Sequence, residues 1–292
     1  MIPKLVEIYC LVDNLTRKID NFLQKSKVGR KSILSRSELI LIALIKQIMG
    51  IKTNKVLYDL IKTYGKNIFS ALPSYQQFCS GLESNVFYLA IINQLLAVVN
   101  SKKKSNFFII DSTSMPLCRN AYRSRSKLGK NVATSGKNMN GWYFGFKLHL
   151  IITDDMDIVS FKFTRASTSD ITALDTNFVQ NIAGYLIGDK GYIGVNKAKE
   201  LRKNNVTLIT KSRKNMKKTP VLKKILKMLS QRQVVETTFS MLKSKFSLIA
   251  QHVRSLTSFF SQALTAIFAH HLHKNKVNYY LEIDILNNIT IS

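Results

Sequence analysis

"FFIID", residues 107–111, is the stretch from which the fold of this chain can be worked out. Its four consecutive apolar residues are typical of a buried strand in the centre of a sheet. The next residue, Asp111, is acidic. A carboxylate that emerges from an apolar strand costs desolvation free energy unless a cation or hydrogen-bond donors meet it. The stretch therefore predicts a central strand that ends in a charged group with a partner.

The chain after this strand alternates between strand and helix patterns. Residues 142–153, "WYFGFKLHLIIT", place apolar and polar side chains alternately, and residues 158–166 complete a hairpin. Further elements follow in chain order: a helix over 170–182 capped by Asp170, a strand over 184–189, a helix over 196–205, a strand over 206–210, and helices from 221 to about 273. A three-strand meander followed by alternating helices and strands predicts a mixed α/β sheet covered by helices.

The first hundred residues have helical patterns instead. Apolar residues recur at steps of three and four from Leu5 to Phe22, and "SRSE" (35–38) has the form of a capping box. Ser74 with Gln77 predicts another helix start. The polar stretch 100–106 then predicts a boundary between an all-helical domain, 1–100, and a second domain, 101–292. The helices suit a helix-turn-helix-like DNA-binding module, and equally a bundle that packs internally or dimerises through the Leu5–Phe22 stripe.

The charge of the chain indicates a polyanionic partner. Its formal net charge is +27, from 44 Lys and Arg against 17 Asp and Glu. Nucleic acid is the first candidate, because neutralised phosphates release counterions. An anionic membrane fits less well, because the positive charge runs through the whole chain, and the apolar stretch 86–100 is shorter than the ~20 residues of a membrane span. Three separated cysteines exclude a disulfide framework and indicate a reducing cytosol.

Three acids stand alone in basic surroundings. Asp111 is the only acid between residues 84 and 153, Asp189 ends the strand over 184–189, and Glu236 is the only acid between residues 201 and 281. A structural Lys or Arg partner would account for any one of them. A ligand shared by all three is the alternative, and oxygen-only donors suit Mg²⁺ or Mn²⁺.

The stretch "RQVVETTFSMLK", residues 232–243, favours the shared ligand. Arg232, Glu236 and Lys243 lie at steps of four and seven, which places them on one face of a helix. Two cations beside a metal-binding carboxylate would suit a scissile phosphate. A plain surface ion pair between Arg232 and Glu236 explains neither Lys243 nor the scarcity of other acids.

Four motifs in order resemble the landmarks of DDE-type bacterial insertion-sequence transposases, and more narrowly those of the insertion sequence 982 family. They are "FFIIDSTSMPLC", "GWYFGFKLHL", "GDKGYIG" and "RQVVETTFSMLK". The resemblance implies an RNase H-like α/β fold, with a mixed five-stranded sheet flanked by helices after the helical N-terminal domain. It further implies that Asp111, Asp189 and Glu236 are catalytic residues that bind two Mg²⁺ or Mn²⁺ ions.

The resemblance also suggests DNA contacts. Arg232 and Lys243 match the basic positions of the family's R-x-x-x-E-x-x-x-x-x-x-K signature, whose upstream Tyr is replaced here by Leu229. Lys147 and His149 match its G-x-K-x-H strand. Further DNA-contact candidates from the sequence are Lys190 and Tyr192 beside Asp189, the basic stretch 211–218, and Trp142, for which a place at the edge of the core is the alternative.

The function that the resemblance implies is cleavage of the element's ends followed by strand transfer into target DNA. The expected partners are DNA, in the form of terminal inverted repeats and target, and a second copy of the chain in a homodimer. The expected location is the bacterial cytoplasm, at the nucleoid. The alternatives are a metal-dependent nuclease of the same fold without strand transfer, and a catalytically inactive DNA-binding relative.

Overall fold

The computed structural model describes residues 2–24, 31–65, 68–69, 71–103, 105, 107–210, 230, 232–249 and 253–274. The chain divides into two compact units. The sheet unit comprises Gln94–Met241, and the helical unit comprises Met1–Asn93 together with Leu242–Ser292. The basic stretch 211–218, Leu229 and the first part of the helical region predicted from 221 lie outside the described residues.

The described helices and strands are as follows. In chain order they are α1 (Ile2–Phe22), α2 (Arg36–Ile48), α3 (Asn54–Tyr64), α4 (Tyr75–Glu83), α5 (Val86–Ser101), β1 (Phe107–Arg119), β2 (Thr134–Asn138), β3 (Gly141–Thr153), β4 (Ile158–Arg165), α6 (Asp170–Ala173), α7 (Thr176–Val179), β5 (Gly184–Gly188), α8 (Val195–Lys203), β6 (Val206–Thr210), α9 (Gln233–Ser244) and α10 (Leu256–Lys274). There are also two 3₁₀ turns: Asn120–Tyr122 follows β1, and Lys190–Tyr192 follows β5.

Local capping signals set the starts of helices in the helical unit, as predicted. The Ser35 hydroxyl accepts the Glu38 amide at 3.2 Å, and the Glu38 carboxylate accepts the Ser35 amide at 2.6 Å. Ser74 and Gln77 form the same reciprocal pair at the start of α4. Each pair satisfies backbone donors that the first helical turn leaves open.

The apolar stripe of α1 is an internal contact of the helical unit. Val12 and Leu15 are fully buried, and the Thr16 and Ser37 hydroxyls lie 2.8 Å apart between α1 and α2. The stripe therefore packs against α2, and the predicted use of this face in a dimer is wrong. Phe22, at the end of the helix, is exposed.

The C-terminal helix α10 packs with the N-terminal helices. Three hydrogen bonds join them: Asn93 Nδ2 to Leu264 O at 3.0 Å, Gln47 Nε2 to Gln262 O at 3.1 Å, and Ser261 Oγ to Leu82 O at 3.1 Å. The division after residue 100 stays a prediction. The compact units divide the chain differently, because α10 belongs with the helices that precede the sheet.

Helices α4 and α5 together, Tyr75–Ser101, are long and apolar enough to cross a membrane by length and composition, with a mean hydropathy of 1.5. Leu89, Ile92 and Leu96 of α5 are, however, fully buried inside the protein. This is the burial expected of a core helix, in line with the sequence-based prediction.

The sheet has six strands in a mixed arrangement. Its order is β2-β3-β1-β5-β6, and β4 pairs with β3 as well. β3 pairs antiparallel with β1, β2 and β4. β5 pairs parallel with β1 and β6. Apolar side chains of the strands and of α7 form the core; among them are Phe108, Ile110, Ile151, Leu174, Phe178 and Leu186. The prediction of a mixed sheet flanked by helices is confirmed, and β2 is an additional strand.

Two predicted boundaries in the sheet unit are wrong. β1 does not end at Asp111 but continues to Arg119, because β3 pairs with it along this whole length. The helix predicted over 170–182 is two short helices, since the chain bends after Leu174 and Asp175 caps α7 by accepting the Phe178 amide at 3.0 Å. Ser169 occupies the cap position of α6, and Asp170 is its first residue.

Candidate active site

The register of two parallel strands brings Asp111 and Asp189 together. β1 pairs with β5 through Phe107 with Tyr185, and through Ile109 with Ile187. Continued by two residues beyond the last pair, this register sets Asp111 opposite Asp189, and the Asp189 charge is close enough to raise the pKa of Asp111. β5 ends at Gly188, so both carboxylates lie where the parallel pairing stops. Polar groups at the carboxyl ends of parallel strands commonly form functional sites.

Asp111 is a desolvated carboxylate with a single cationic partner among the described residues. Its Oδ1 accepts the Ser112 amide at 2.8 Å, and its Oδ2 lies 3.4 Å from Arg232 Nη2. Burial raises the pKa of Asp111 to about 6; the Ser112 amide and the Arg232 guanidinium oppose this rise, and the Asp189 and Asp170 carboxylates add to it. The ionised form of Asp111 is therefore disfavoured, chiefly by burial and to a smaller extent by the neighbouring carboxylates.

Asp189 caps the 3₁₀ turn that follows it. Its Oδ1 accepts the Gly191 amide at 2.7 Å. A Cβ atom at Gly191 would lie only 2.9 Å from Asp189 Oδ1 and 2.9 Å from Asp170 Oδ2. Glycine is thus required for close packing between two carboxylates, which gives the "GDKGY" motif a physical reason. Lys190, between Asp189 and Gly191, is exposed.

Arg232 bridges the first acid and the predicted third acid. It directly precedes α9, and its Nη2 lies 3.4 Å from Asp111 Oδ2 and 3.5 Å from Glu236 Oε1. Glu236 lies in the first turn of α9, and its side chain is 63% exposed. Lys243 is exposed in the last turn of the same helix, within the helical unit.

A fourth acid, Asp170, was missed as a site residue. It was expected only to cap a helix, but its Oδ1 accepts the Ser112 hydroxyl at 3.0 Å and the Lys147 ammonium at 3.1 Å. Asp170 is the only acid between Asp157 and Asp175. The criterion that singled out the other three acids, isolation among basic residues, would not have found it, because only Lys162 and Arg165 lie between Asp157 and Asp175.

His149 and Tyr192 face inward, which contradicts their predicted contacts with DNA, whereas the contact predicted for the partly exposed Lys147 stays a prediction. His149 and Tyr192 are fully buried, and the Lys147 ammonium is held by the Thr168 carbonyl at 2.9 Å as well as by Asp170. Burial lowers the pKa of His149 to about 4. Burial also raises the pKa of Tyr192, and the carboxylates of Asp170, Asp111 and Asp189 raise it further. The tyrosine hydroxyl therefore lies within the electrostatic reach of three aspartates.

A family model described as a transposase DDE domain matches residues 101–256. The match covers more than half of the chain and includes Asp111, Asp189 and Glu236. The chain belongs to the transposase DDE domain family. It is therefore a DNA transposase, as the resemblance implied, while the narrower assignment to the insertion sequence 982 family stays a prediction.

A solved transposase structure is similar to this transposase in fold. The cryo-EM structure of the piggyBac transposase synaptic complex with hairpin DNA is similar with a TM-score of 0.53 at 10% identity, covering 98% of this chain and 75% of that chain. A crystal structure of a pre-cleavage Mos1 transpososome matches with a TM-score of only 0.24 at 9% identity, covering 86% and 80% of the two chains, and supports no conclusion. A search of curated proteins finds no match.

The donor set of this DDE transposase fits a hard divalent cation. Its acids offer only oxygen donors, and Asp111 is desolvated beside other carboxylates, so a cation would relieve the repulsion. Within the described ranges, no three His, Cys, Asp or Glu side chains are already gathered as ligands. In this arrangement the Arg232 guanidinium, shared by Asp111 and Glu236, supplies the positive charge.

Proposed function

We propose that this transposase cleaves DNA at the ends of its own element and joins those ends to target DNA at a site built from Asp111, Asp189 and Glu236. One observation carries the proposal. Asp111 and Asp189 meet at the end of the parallel pairing of β1 and β5, and Arg232 links Asp111 to Glu236 on α9. Three acids from distant parts of the sequence thus face one region of the sheet unit.

The chain's own residues hold this site in different ways. Asp189 is fixed by the Gly191 amide, and Asp111 is fixed by the Ser112 amide and by the pairing of β1 with β3. Glu236 is more exposed and lies on a helix, so it has freedom to adjust its position. Two Mg²⁺ or Mn²⁺ ions, when bound by these carboxylates, would supply activation of a water or a 3′-hydroxyl and stabilisation of the leaving oxygen.

Arg232 is the candidate phosphate ligand of the site. Its Nη2 is shared between Asp111 and Glu236, whereas its buried Nε has no hydrogen-bond partner among the described residues. A guanidinium presents several donors in a planar fork that matches a phosphate. We infer that Arg232 neutralises the acids in the absence of DNA and donates to a phosphate oxygen when DNA is bound. Lys243 and Lys190, both exposed, are proposed as backbone contacts.

The proposed partners are the terminal inverted repeats and target DNA, bound by a homodimer that holds two ends together. The net charge of +27 supports a nucleic-acid partner. The proposed location is the bacterial nucleoid in the cytoplasm. The three cysteines, which are all free thiols, agree with a reducing compartment.

The test is an end-cleavage and strand-transfer assay with the inverted repeats from the gene's own locus, in the presence and absence of Mg²⁺. Asp111→Asn, Asp189→Asn and Glu236→Gln should each abolish cleavage and retain DNA binding. Asp155→Asn is the matched control, because Asp155 is an exposed acid in the turn between β3 and β4. Full cleavage by Asp111→Asn would exclude the proposed site. Cleavage by the wild type without joining of pre-cut ends would show a nuclease.

A further inference from the structure

The turn between β2 and β3 presents two large apolar side chains to solvent. Met139 at the turn is fully exposed, and Trp142, the first aromatic residue of β3, is 60% exposed. The apolar residues that follow on β3, such as Phe144 and Phe146, are buried. Trp142 was expected at the edge of the core or on a flipped base, and its exposure excludes the core position. Exposed aromatic and thioether side chains at one point of a surface are typical of a binding site.

The turn is held rigidly. Asn138 pairs with Gly141, so that only Met139 and Asn140 form the loop. The Asn138 carboxamide accepts the Asn140 amide at 2.9 Å and donates to Ser114 Oγ at 2.9 Å, which ties the turn to β1. Gly141 has a φ of +105°, a conformation that other residues rarely adopt. The tip is therefore pre-organised, so that little conformational entropy would be lost on binding.

The surroundings of the tip are strongly basic. No acid occurs between Ser112 and Thr153. Lys137 Nζ lies 6.0 Å from the centre of the Trp142 ring. The connection from β1 to β3 carries further exposed cations: Arg119, Arg123, Arg125, Lys127 and Lys130. We call Met139, Trp142, Lys137 and these five cations the hairpin surface. A stackable ring among cations, without acids, has the charge complementarity of nucleic acid, which offers both phosphates and base faces.

The hairpin surface lies along the same strand as the candidate active site. Asp111 pairs with Leu150 on β3, and Trp142 is eight residues from Leu150. Even-numbered steps along a strand keep side chains on one face, so Trp142 and Leu150 point to the same side of the sheet as Asp111. Eight residues at ~3.3 Å each give a strand length of about 26 Å. The direct distance is shorter, because the Asn138–Ser114 hydrogen bond returns the hairpin tip to β1, at a residue three positions from Asp111. The hairpin surface therefore lies within the length of about eight base pairs of B-form DNA from Asp111.

We propose that the hairpin surface is a second DNA-binding site, at which Trp142 and Met139 pack against bases of a distorted or single-stranded segment within about eight base pairs of the scissile phosphate. Lys137 and the other cations hold the phosphates on either side of that segment. The inference rests on the proposed function for the location of the scissile phosphate. Stacking on an aromatic ring requires an opened base step, so the site favours DNA that is already unpaired there.

Intrinsic fluorescence tests this binding directly, because Trp142 is the only tryptophan in the chain. The full-length Asp111→Asn protein, which should bind without cleaving, is titrated with a duplex that carries the inverted repeat. The expected result is quenching of Trp142 fluorescence at saturation. Stronger quenching is expected from a duplex with a short unpaired bubble within about eight base pairs of the cut than from one with the bubble at the far end.

Variants test whether the contact contributes to binding. In anisotropy measurements with labelled duplex, Trp142→Ala and Met139→Ala should each lower the affinity, with a loss of about tenfold for Trp142→Ala. A bubble at the proposed position should restore part of the affinity of Met139→Ala but not that of Trp142→Ala, because the ring that stacks is missing. Val195→Ala is the matched control, because Val195 is an exposed apolar residue at the start of α8.

Several results would overturn the inference while leaving the proposed function intact. One is cleavage and saturable DNA binding without a change in Trp142 fluorescence or in the affinity of either variant. Another is a fluorescence change with anionic phospholipid vesicles but none with DNA, which would indicate a membrane surface. A third is dissociation of an oligomer in Trp142→Ala alone, which would indicate a protein interface. Absence of cleavage by the wild type would instead count against the proposed function.

Discussion

The carboxylate of Asp111 is largely shielded from water, and the carboxylates of Asp189 and Asp170 add to the repulsion around it. A pKa of about 6, above the usual 3.8, means that the folded state favours the protonated acid. Proton binding to Asp111 therefore stabilises the folded state at low pH, and this stabilisation is lost as the pH rises through about 6. At neutral pH the charged Asp111 therefore destabilises the fold, as residues that are placed for chemistry often do.

The first prediction follows from that repulsion. Asp111→Asn should raise the free energy of unfolding at pH 7 by about 1–2 kcal/mol, after allowance for the lost attraction to Arg232. Denaturant unfolding at pH 7 and at pH 4 checks it, because the two proteins should converge in stability once the acid is protonated. A variant that is less stable than the wild type at pH 7 would contradict this account.

Asp170 is a positioning residue in this structure. It holds the Ser112 hydroxyl beside Asp111 and the Lys147 ammonium, and its Oδ2 faces Gly191. Asp170→Ala should lower the rate of cleavage at saturating DNA by about 10–100-fold. Asp170→Asn keeps an acceptor for Ser112, so its reduction in rate should be about tenfold smaller than that of Asp170→Ala. Both should bind DNA normally in anisotropy measurements. Asp175→Asn, which removes the ion pair with Lys162, is the control. Equal losses in all three variants would indicate a general structural effect.

His149 is buried as the neutral imidazole. Its Nε2 lies 2.9 Å from the Thr164 hydroxyl and its Nδ1 lies 3.5 Å from the Tyr192 hydroxyl. Burial lowers its pKa from 6.5 to about 4, so the unfolded chain binds a proton between these pH values and the folded chain does not. Relative to His149→Gln, the wild type should lose about 2–3 kcal/mol of stability as the pH falls from 6.5 to 4, while Asp111 acts in the opposite direction in both proteins. His149→Gln should lack this dependence in urea unfolding at a series of pH values, and an unchanged dependence would contradict the prediction.

At the scale of elements, the turn after β5 determines where the Asp189 carboxylate lies. Gly188, Asp189 and Gly191 allow the chain to leave the strand tightly, with Tyr192 buried under the carboxylates. The turn is predictable as a turn from its two glycines. Its packing against Asp170 is not, because α6 is separated from the turn in sequence and meets it only in the tertiary fold.

Gly191→Ala tests this turn. The added Cβ would lie 2.9 Å from carboxylate oxygens of Asp189 and Asp170, and both side chains can move aside at a small cost in stability. We expect a loss of cleavage of at least about tenfold, because displacement of catalytic groups by a fraction of an ångström impairs reaction, with little change in the denaturation midpoint. Gly194→Ala is the control, because a Cβ there would contact only the apolar side chain of Ile171 and the Cβ of Lys197. Equal effects of the two changes would contradict the prediction.

Most elements are predictable because their signals are local. The capping boxes at Ser35 and Ser74 and the alternation of β3 each depend on residues a few positions apart. β2 was missed, because "TSGKN" has neither alternation nor apolar character. It is a strand only because β3 extends beyond β1 and β4 and offers it an edge to pair with.

For the whole molecule, the charge of +27 predicts steep salt dependence of DNA binding. Affinity for the inverted-repeat duplex should fall by about 10³-fold or more between about 50 and 200 mM salt, because each phosphate contact releases a counterion. Anisotropy at several salt concentrations gives the slope. Combining the changes Arg123→Ala and Lys137→Ala should reduce the slope, since both residues belong to the hairpin surface, whereas a flat dependence would argue against phosphate contacts.

The sequence by itself determined the class of this protein. Lone acids on apolar strands, a basic chain and four ordered motifs identified a DDE transposase, because a strand, a cap or an isolated charge is specified by neighbours in the chain. The tertiary structure alone decided which groups meet. It placed Asp111 opposite Asp189, added Asp170, buried His149 and Tyr192, and exposed Trp142. Burial and the proximity of charges depend on strand register and packing between distant segments, and residue spacing along the chain does not encode either one.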